Sequence, residues 1–172
     1  MKNIIQILSL ILIFSCNNNK SSESNIESTR NSEEIEEKKL IEIKFTPDSS
    51  YVQYWCSTEI LKKTAESLDK LNLTDVADFL ATFHGDCKKN TMYAEWSNEL
   101  LFEVANKKPD FILQLLLKNS SLDKELIKSE FESPIHDGID LDKIIIEIEK
   151  ANSPIKIKKE IVESLKKGKS KY

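Results

Sequence analysis

The chain has 172 residues, with 25 Lys+Arg against 29 Asp+Glu, a net charge of −4 and a pI near 5.4. So mild an acidic balance argues against general nucleic-acid binding, which needs a concentrated basic face to meet phosphates, and by itself it names no partner. With 3 Gly and 4 Pro in the whole chain, turn chemistry is too scarce for a sheet-based fold.

The chain begins Met1-Lys2-Asn3, with one positive side chain. Residues 4–14 follow, apolar apart from Gln6 and Ser9, and a small residue, Ser15, stands directly before Cys16. These are the n-region, h-region and cleavage position of an export signal, residues 1–15. About 11 residues at 1.5 Å rise make roughly 16 Å of helix, well short of a hydrocarbon core of about 30 Å, so the run reads as a signal and not as a membrane span. The stretch Ile13-Phe14-Ser15-Cys16 resembles the lipobox of bacterial lipoproteins, with an aliphatic residue three before the cysteine and a small one next to it. The resemblance implies cleavage before Cys16, thioether attachment of diacylglycerol to its sulfur and acylation of the new amino terminus. It also implies a place in the bacterial cell envelope, anchored to a membrane on the periplasmic or cell-surface side. An ordinary secretory signal followed by a chance cysteine is the alternative. More than one acyl chain would hold the protein stably, at about 0.8 kcal/mol per buried CH₂.

Residues 16–39 read as the lipidated cysteine and a tether. Only Ile26 and Ile35 are apolar among the Asn, Ser, Glu and Lys that follow Cys16, too little to offset the entropy of ordering. About 23 such residues have a root-mean-square reach of roughly 25–30 Å and a ceiling near 75 Å. The folded domain is expected over residues 40–172. It opens with Leu40, Glu42 and Lys44 alternating with Ile41, Ile43 and Phe45, a short extended lead-in that ends at Pro47 and packs on the helices.

The remainder has helical period and helical punctuation. Over residues 51–71, Val52, Trp55, Leu61, Ala65, Leu68 and Leu71 share a broad face. Thr74 then caps a second helix, where Val76, Phe79, Leu80 and Phe83 recur at three and four and Gly85 stands at a left-handed stop. Thr91 precedes a third, with Trp96, Leu100, Leu101 and Val104 on one side. Pro109 opens a fourth that is apolar nearly all round and is therefore expected to be the buried centre. Ser120 caps a fifth. Asp140 begins a sixth with Leu141, Ile144, Ile145 and Ile148, whose spacing is helical although the run is β-branched. Ser153-Pro154 starts the last, with Ile157, Ile161 and Leu165 in a row. The expected fold is all-α: about seven short helices in antiparallel pairs, either an irregular bundle or a short HEAT-like stack. The stack is suggested by Ala-Asn helix ends followed by Pro109 and Pro154, a spacing within the period of about 40–47 residues of such repeats.

Four groups of residues carry possible chemistry. Cys56 and Cys87, in an exported chain, read first as a disulfide closing the hairpin of the first two helices. His84 beside Cys87 raises a zinc site or a Cys-His nucleophile, but no further ligands or orienting group follow at suitable spacing. Glu132, Asp137, Asp140 and Asp142 lie close together, yet in the wrong order for a calcium loop, and Asp140 is explained as a helix cap. Glu95, Glu99 and Glu103 recur every four residues on the third helix, a ridge read as solvated and as a possible partner surface. The end of the chain, residues 156–172, has seven Lys against two Glu and reads as a frayed soluble tail, with approach to an anionic membrane as the sharper alternative.

The expected function is accordingly that of a membrane-anchored, exported helical module that binds a protein partner, attached to the membrane through Cys16, with no cofactor, no metal, no nucleic acid and no catalysis. An immunity or inhibitor lipoprotein that neutralises a toxin at the envelope is the alternative, and an enzyme with an unrecognised site is the third reading.

Overall fold

The computed structural model describes residues 53–171. The signal, Cys16, the tether, the lead-in at 40–45, Val52 and Tyr172 lie outside the described residues. Within them there are seven α-helices and no strand. These are α1 (Thr58–Glu66), α2 (Leu73–Ala81), α3 (Thr91–Lys107), α4 (Pro109–Lys118), α5 (Lys124–Phe131), α6 (Leu141–Lys150) and α7 (Ile155–Lys169). Two short 3₁₀ turns, Leu68–Lys70 and Gly85–Lys89, follow α1 and α2.

The helix starts are set by side chains that satisfy the first free N–H groups. α1 is shorter than its apolar period suggested, because Ser57 caps it through Ile60 N–H and Cys56 before it takes a left-handed φ of 57°. Cys56 therefore precedes the helix and is not in its first turn. Leu61, Thr64 and Leu71 are buried here, whereas Ala65 and Trp55 are exposed. For α2 the cap is Asn72, not Thr74: Asn72 Oδ1 accepts from Thr74 N–H and Asp75 N–H, and the Asp75 carboxylate accepts from Asn72 N–H. The α2 core positions Val76, Phe79, Leu80 and Phe83 are buried as expected. Gly85 is not its stop. The helix ends at Thr82, whose hydroxyl donates to Phe79 C=O, and no described glycine has a positive φ. Asn90 caps α3, Asp123 rather than Ser120 caps α5, and Asp140 caps α6.

Packing decides between the two architectures. α3, the longest helix at 17 residues, packs against α1, α4, α5 and α6, whereas in a stack each repeat meets only its neighbours. The arrangement is an irregular bundle with α3 at its centre. α4 is not the centre: Ile112, Leu113, Leu115 and Leu116 are buried, but Leu117 is exposed and Phe111 half-buried. Edge-to-face rings of Phe102 and Phe131, 5.5 Å apart, join α3 to α5. Asp110 in the first turn of α4 accepts from Asn152 N–H at 2.6 Å, tying the α6–α7 turn to that helix start.

The basic tail is not frayed. It is α7 and it is docked: Lys167 pairs with Glu132 at 3.0 Å, Lys169 with Asp142 at 2.6 Å, and Lys171 donates to Glu132 C=O at 2.6 Å. Gly168 permits this contact, since a Cβ there would stand 2.7 Å from Phe131 C=O and 3.0 Å from Pro134 Cδ. Gly168→Ala gains up to about 1 kcal/mol in helix propensity but forces a backbone to move, which costs about 1–3 kcal/mol. The expected result is a net loss of about 1–2 kcal/mol in urea denaturation. A variant more stable than the parent would show that α7 and the end of α5 separate easily.

Candidate functional site

Cys56 and Cys87 are joined in a disulfide, with their Cα atoms 5.3 Å apart. α1 and α2 pack as a hairpin, so the residue before one and the turn after the other meet. Thr82 gathers this end of the domain. Its carbonyl accepts from Cys56 N–H at 3.0 Å and from the Tyr93 hydroxyl at 2.8 Å. Burial pushes the Tyr93 hydroxyl up to about 12, and its hydrogen bond with the Thr82 side chain opposes the shift. The bridge removes Cys87 as a thiolate or zinc ligand. His84 is not aimed at it: the ring stacks on Trp55 at 3.6 Å, and Nδ1 accepts from Asp86 N–H at 3.3 Å. Among the described residues no three His, Cys, Asp or Glu side chains are grouped to hold a metal ion.

A different site emerges where two stretches considered separately in the sequence come together. The 132–140 loop, between α5 and α6, folds back on the exposed side of α3. Its anchor is Asn98, fully buried on α3. Asn98 Nδ2 lies 3.3 Å from Glu130 C=O, 3.0 Å from Glu130 Oε2 and 3.3 Å from Ser133 C=O, while Oδ1 accepts from Ile135 N–H at 3.1 Å. One amide thus satisfies both ends of a turn that has no sheet or helix to bond with. From the other side, Lys171 donates to Glu132 C=O and the Ser133 hydroxyl.

The loop, α3 and the start of α6 line a groove of about 480 Å³, with Glu99, Phe102, Glu103 and Asn106 from α3, His136 and Asp137 from the loop, and Lys143 and Ile144 from α6. A second hollow of about 380 Å³ lies across the loop and shares His136, Asp137, Ile139 and Asp140 with the first. His136 Nε2 is 3.7 Å from Glu99 Oε2. Partial burial raises the Glu103 carboxyl above the usual range, and the Glu99 charge one turn away adds to the effect. Lys107, the cation that opposes this shift, is itself engaged with Asp69 at 2.7 Å.

Of the ridge proposed as a partner surface, the structure brings Glu99 and Glu103 into the groove and leaves Glu95 exposed outside its lining. All three are on the exposed side of α3, but the ridge is not merely convex, because the loop supplies a second wall. Of the acidic loop residues, Asp140 caps α6 through Lys143 N–H at 3.0 Å and Asp142 holds Lys169. Those two carboxylates are accounted for as structural. Sequence reading passed over Asn98, whose only signal is a polar residue one position beyond Ser97 amid the apolar period of α3. Chemically, the groove presents carboxylates and one lysine, Lys143, beside the apolar Phe102, Ile139 and Ile144, and its carboxylates can accept hydrogen bonds from ammonium or guanidinium groups. No family model, curated protein or solved structure matches the chain.

Proposed function

We propose that this is an exported, lipid-anchored binding module of the bacterial cell envelope, which captures a protein partner at the groove between α3 and the 132–140 loop. The observation that carries the reading is the pairing state of that groove. Neither Glu99 nor Glu103 has a Lys or Arg of the described residues within ion-pair distance; His136 beside Glu99 and Lys143 in the same lining are outnumbered by Glu99, Glu103, Asp137 and Asp140, which leaves negative charge for a cation brought by another molecule. Support for the anchor is the Ile13-Phe14-Ser15-Cys16 stretch and the polar run behind it. The same acidic groove suits a basic toxin, which keeps the immunity or inhibitor lipoprotein as the second reading. The two separate on the identity of the captured protein, and steering of a basic toxin adds a steep ionic-strength dependence of association.

Crosslinking in intact cells tests the module. Glu99→Lys with Glu103→Lys is expected to lower partner capture at least about ten-fold, because it sets like charges against the partner's cations. Capture should survive His84→Ala, because His84 stacks on Trp55 and does not line the groove. Loss of the phenotype in that variant, with helix content intact by circular dichroism, would favour the enzyme reading instead. Cys16→Ser should abolish fatty-acid incorporation and shift the protein to the soluble exported fraction; a mutant that still labels with palmitate and pellets with membranes would remove the lipid anchor.

A further inference from the structure

The outer face of α7 is a second charged surface, of the opposite sign to the groove. At 100° per residue, Ile155, Lys159 and Lys166 fall within about 40° of one another, and Lys156 and Lys167 lie on the flank of the same face. The buried side holds Ile157, Ile161, Val162, Ser164, Leu165 and Gly168, with Val162 about 20° from Ile155 at the edge of the exposed arc. Glu163, exposed, falls between Lys159 and Lys156 on this face, and Glu160, half-buried, falls beside Lys167, so the face carries four Lys against two Glu. Lys167 is paired with Glu132, but Lys156, Lys159 and Lys166 have no acidic partner among the described residues. Ile155 is 69% exposed at the helix start. A Lys-rich stripe with an exposed isoleucine, on a chain of net charge −4, is a local departure that needs an anionic counterpart.

We infer that the outer face of α7, through Lys156, Lys159 and Lys166, rests on the anionic headgroups of the membrane to which Cys16 anchors the chain. The inference rests on the lipid-anchor reading above. The 23 residues that follow Cys16 in the tether reach at most about 75 Å when fully extended. A domain of about 120 residues has a radius of gyration near 14 Å. The linking chain is therefore long enough to let any face meet the bilayer, and surface charge selects which one does. Each Lys that reaches an anionic surface strengthens attachment about five-fold. Three together are too weak to recruit a dilute protein, but they suffice to orient one already held at high effective concentration. The attraction acts only within a Debye length and fades with salt.

The test uses the full lipidated chain inserted from detergent into preformed vesicles, either pure phosphatidylcholine or phosphatidylcholine mixed with the anionic lipid phosphatidylglycerol, whose negative surface potential attracts basic side chains. A membrane-impermeant amine reagent labels the lysines, read residue by residue by mass spectrometry. Lys156, Lys159 and Lys166 are expected to label about five-fold or more slowly on the anionic vesicles at low salt, with the difference lost at high salt and Lys70 unchanged throughout. Lys156→Glu, Lys159→Glu and Lys166→Glu together should abolish the protection of the neighbouring Lys167 while the protein still floats with both vesicles. Flotation with equal labelling on the two vesicle types would overturn the membrane-facing assignment and leave the anchor standing. Failure to float with either vesicle would overturn the anchor itself. Protection that appears only when an acidic protein is added would assign the face to a protein partner and refute the lipid assignment.

Discussion

Replacing Cys56 and Cys87 together by alanine is expected to lower stability by about 3.5 kcal/mol, with a fall in melting temperature on the order of 10 °C. The bridge spans 31 residues and closes the whole α1–α2 hairpin, so its loss returns that loop's freedom to the unfolded chain. Against a total stability of about 5–15 kcal/mol for a domain of this size, that is a large fraction. The native contacts nearby do not depend on the sulfurs: Cys56 N–H still donates to Thr82 C=O, and Trp55 still stacks on His84. The left-handed backbone at residue 56 then becomes a cost without a clamp, of order 1 kcal/mol. Thermal unfolding followed by circular dichroism, with non-reducing mass spectrometry of the parent to confirm one bridge, reads the effect. A double variant melting within 2 °C or so of the oxidised parent would overturn the account, since the loop-entropy contribution predicts several times that shift.

Asn98→Ala is expected to cost about 2–4 kcal/mol and to loosen the groove before it unfolds the domain. The buried amide serves Ser133 C=O, Glu130 and Ile135 N–H at once. Removing it takes the partner from at least one part-buried donor and one part-buried acceptor, at about 1–2 kcal/mol each. The loop keeps its hold on Lys171 but loses the bond to α3 that places His136 and Asp137 opposite Glu99 and Glu103. Hydrogen exchange separates this from general destabilisation. The Ile135 amide should exchange at least about ten-fold faster in Asn98→Ala under conditions where the α3 core amides of Leu101 and Val104 are unchanged. If Ile135 stays as protected as in the parent, Asn98 does not position the groove.

What local chemistry determines was readable along the chain. Helix existence depends on apolar spacing within one or two turns, and Leu141, Ile144, Ile145 and Ile148 or Ile157, Ile161 and Leu165 state that spacing without reference to anything distant; all are buried as it requires. Asp140 at the start of α6 and Pro109 at the start of α4 are likewise local. The pairing of Cys56 with Cys87 was legible because an antiparallel hairpin of two short helices has one geometry at its open end. Cap identity was less secure. Asn72 and Thr74 both suit a cap, as do Ser120 and Asp123, and the winner is decided by where the first buried turn must begin, which neighbouring helices fix.

Tertiary structure alone decided which helix is central, where the tail goes and where the groove forms. α4 has the more uniformly apolar sequence, yet α3 occupies the centre, because its buried face includes Tyr93, Ser97 and Asn98, polar groups that a hydrophobic period discounts and that become buried only when another segment supplies their hydrogen bonds. The Lys-rich end resembled a solvated tail until Glu132 and Asp142, 35 and 27 residues away, supplied partners and Gly168 supplied the room. The groove joins Glu99 and Glu103 to His136 and Asp137 across more than thirty residues, through an asparagine that looks unremarkable in sequence. The physical reason is the same in each case. Helix formation is settled by interactions between residues three and four apart, whereas the fate of a polar side chain depends on which distant donor or acceptor the packing brings within about 3 Å of it.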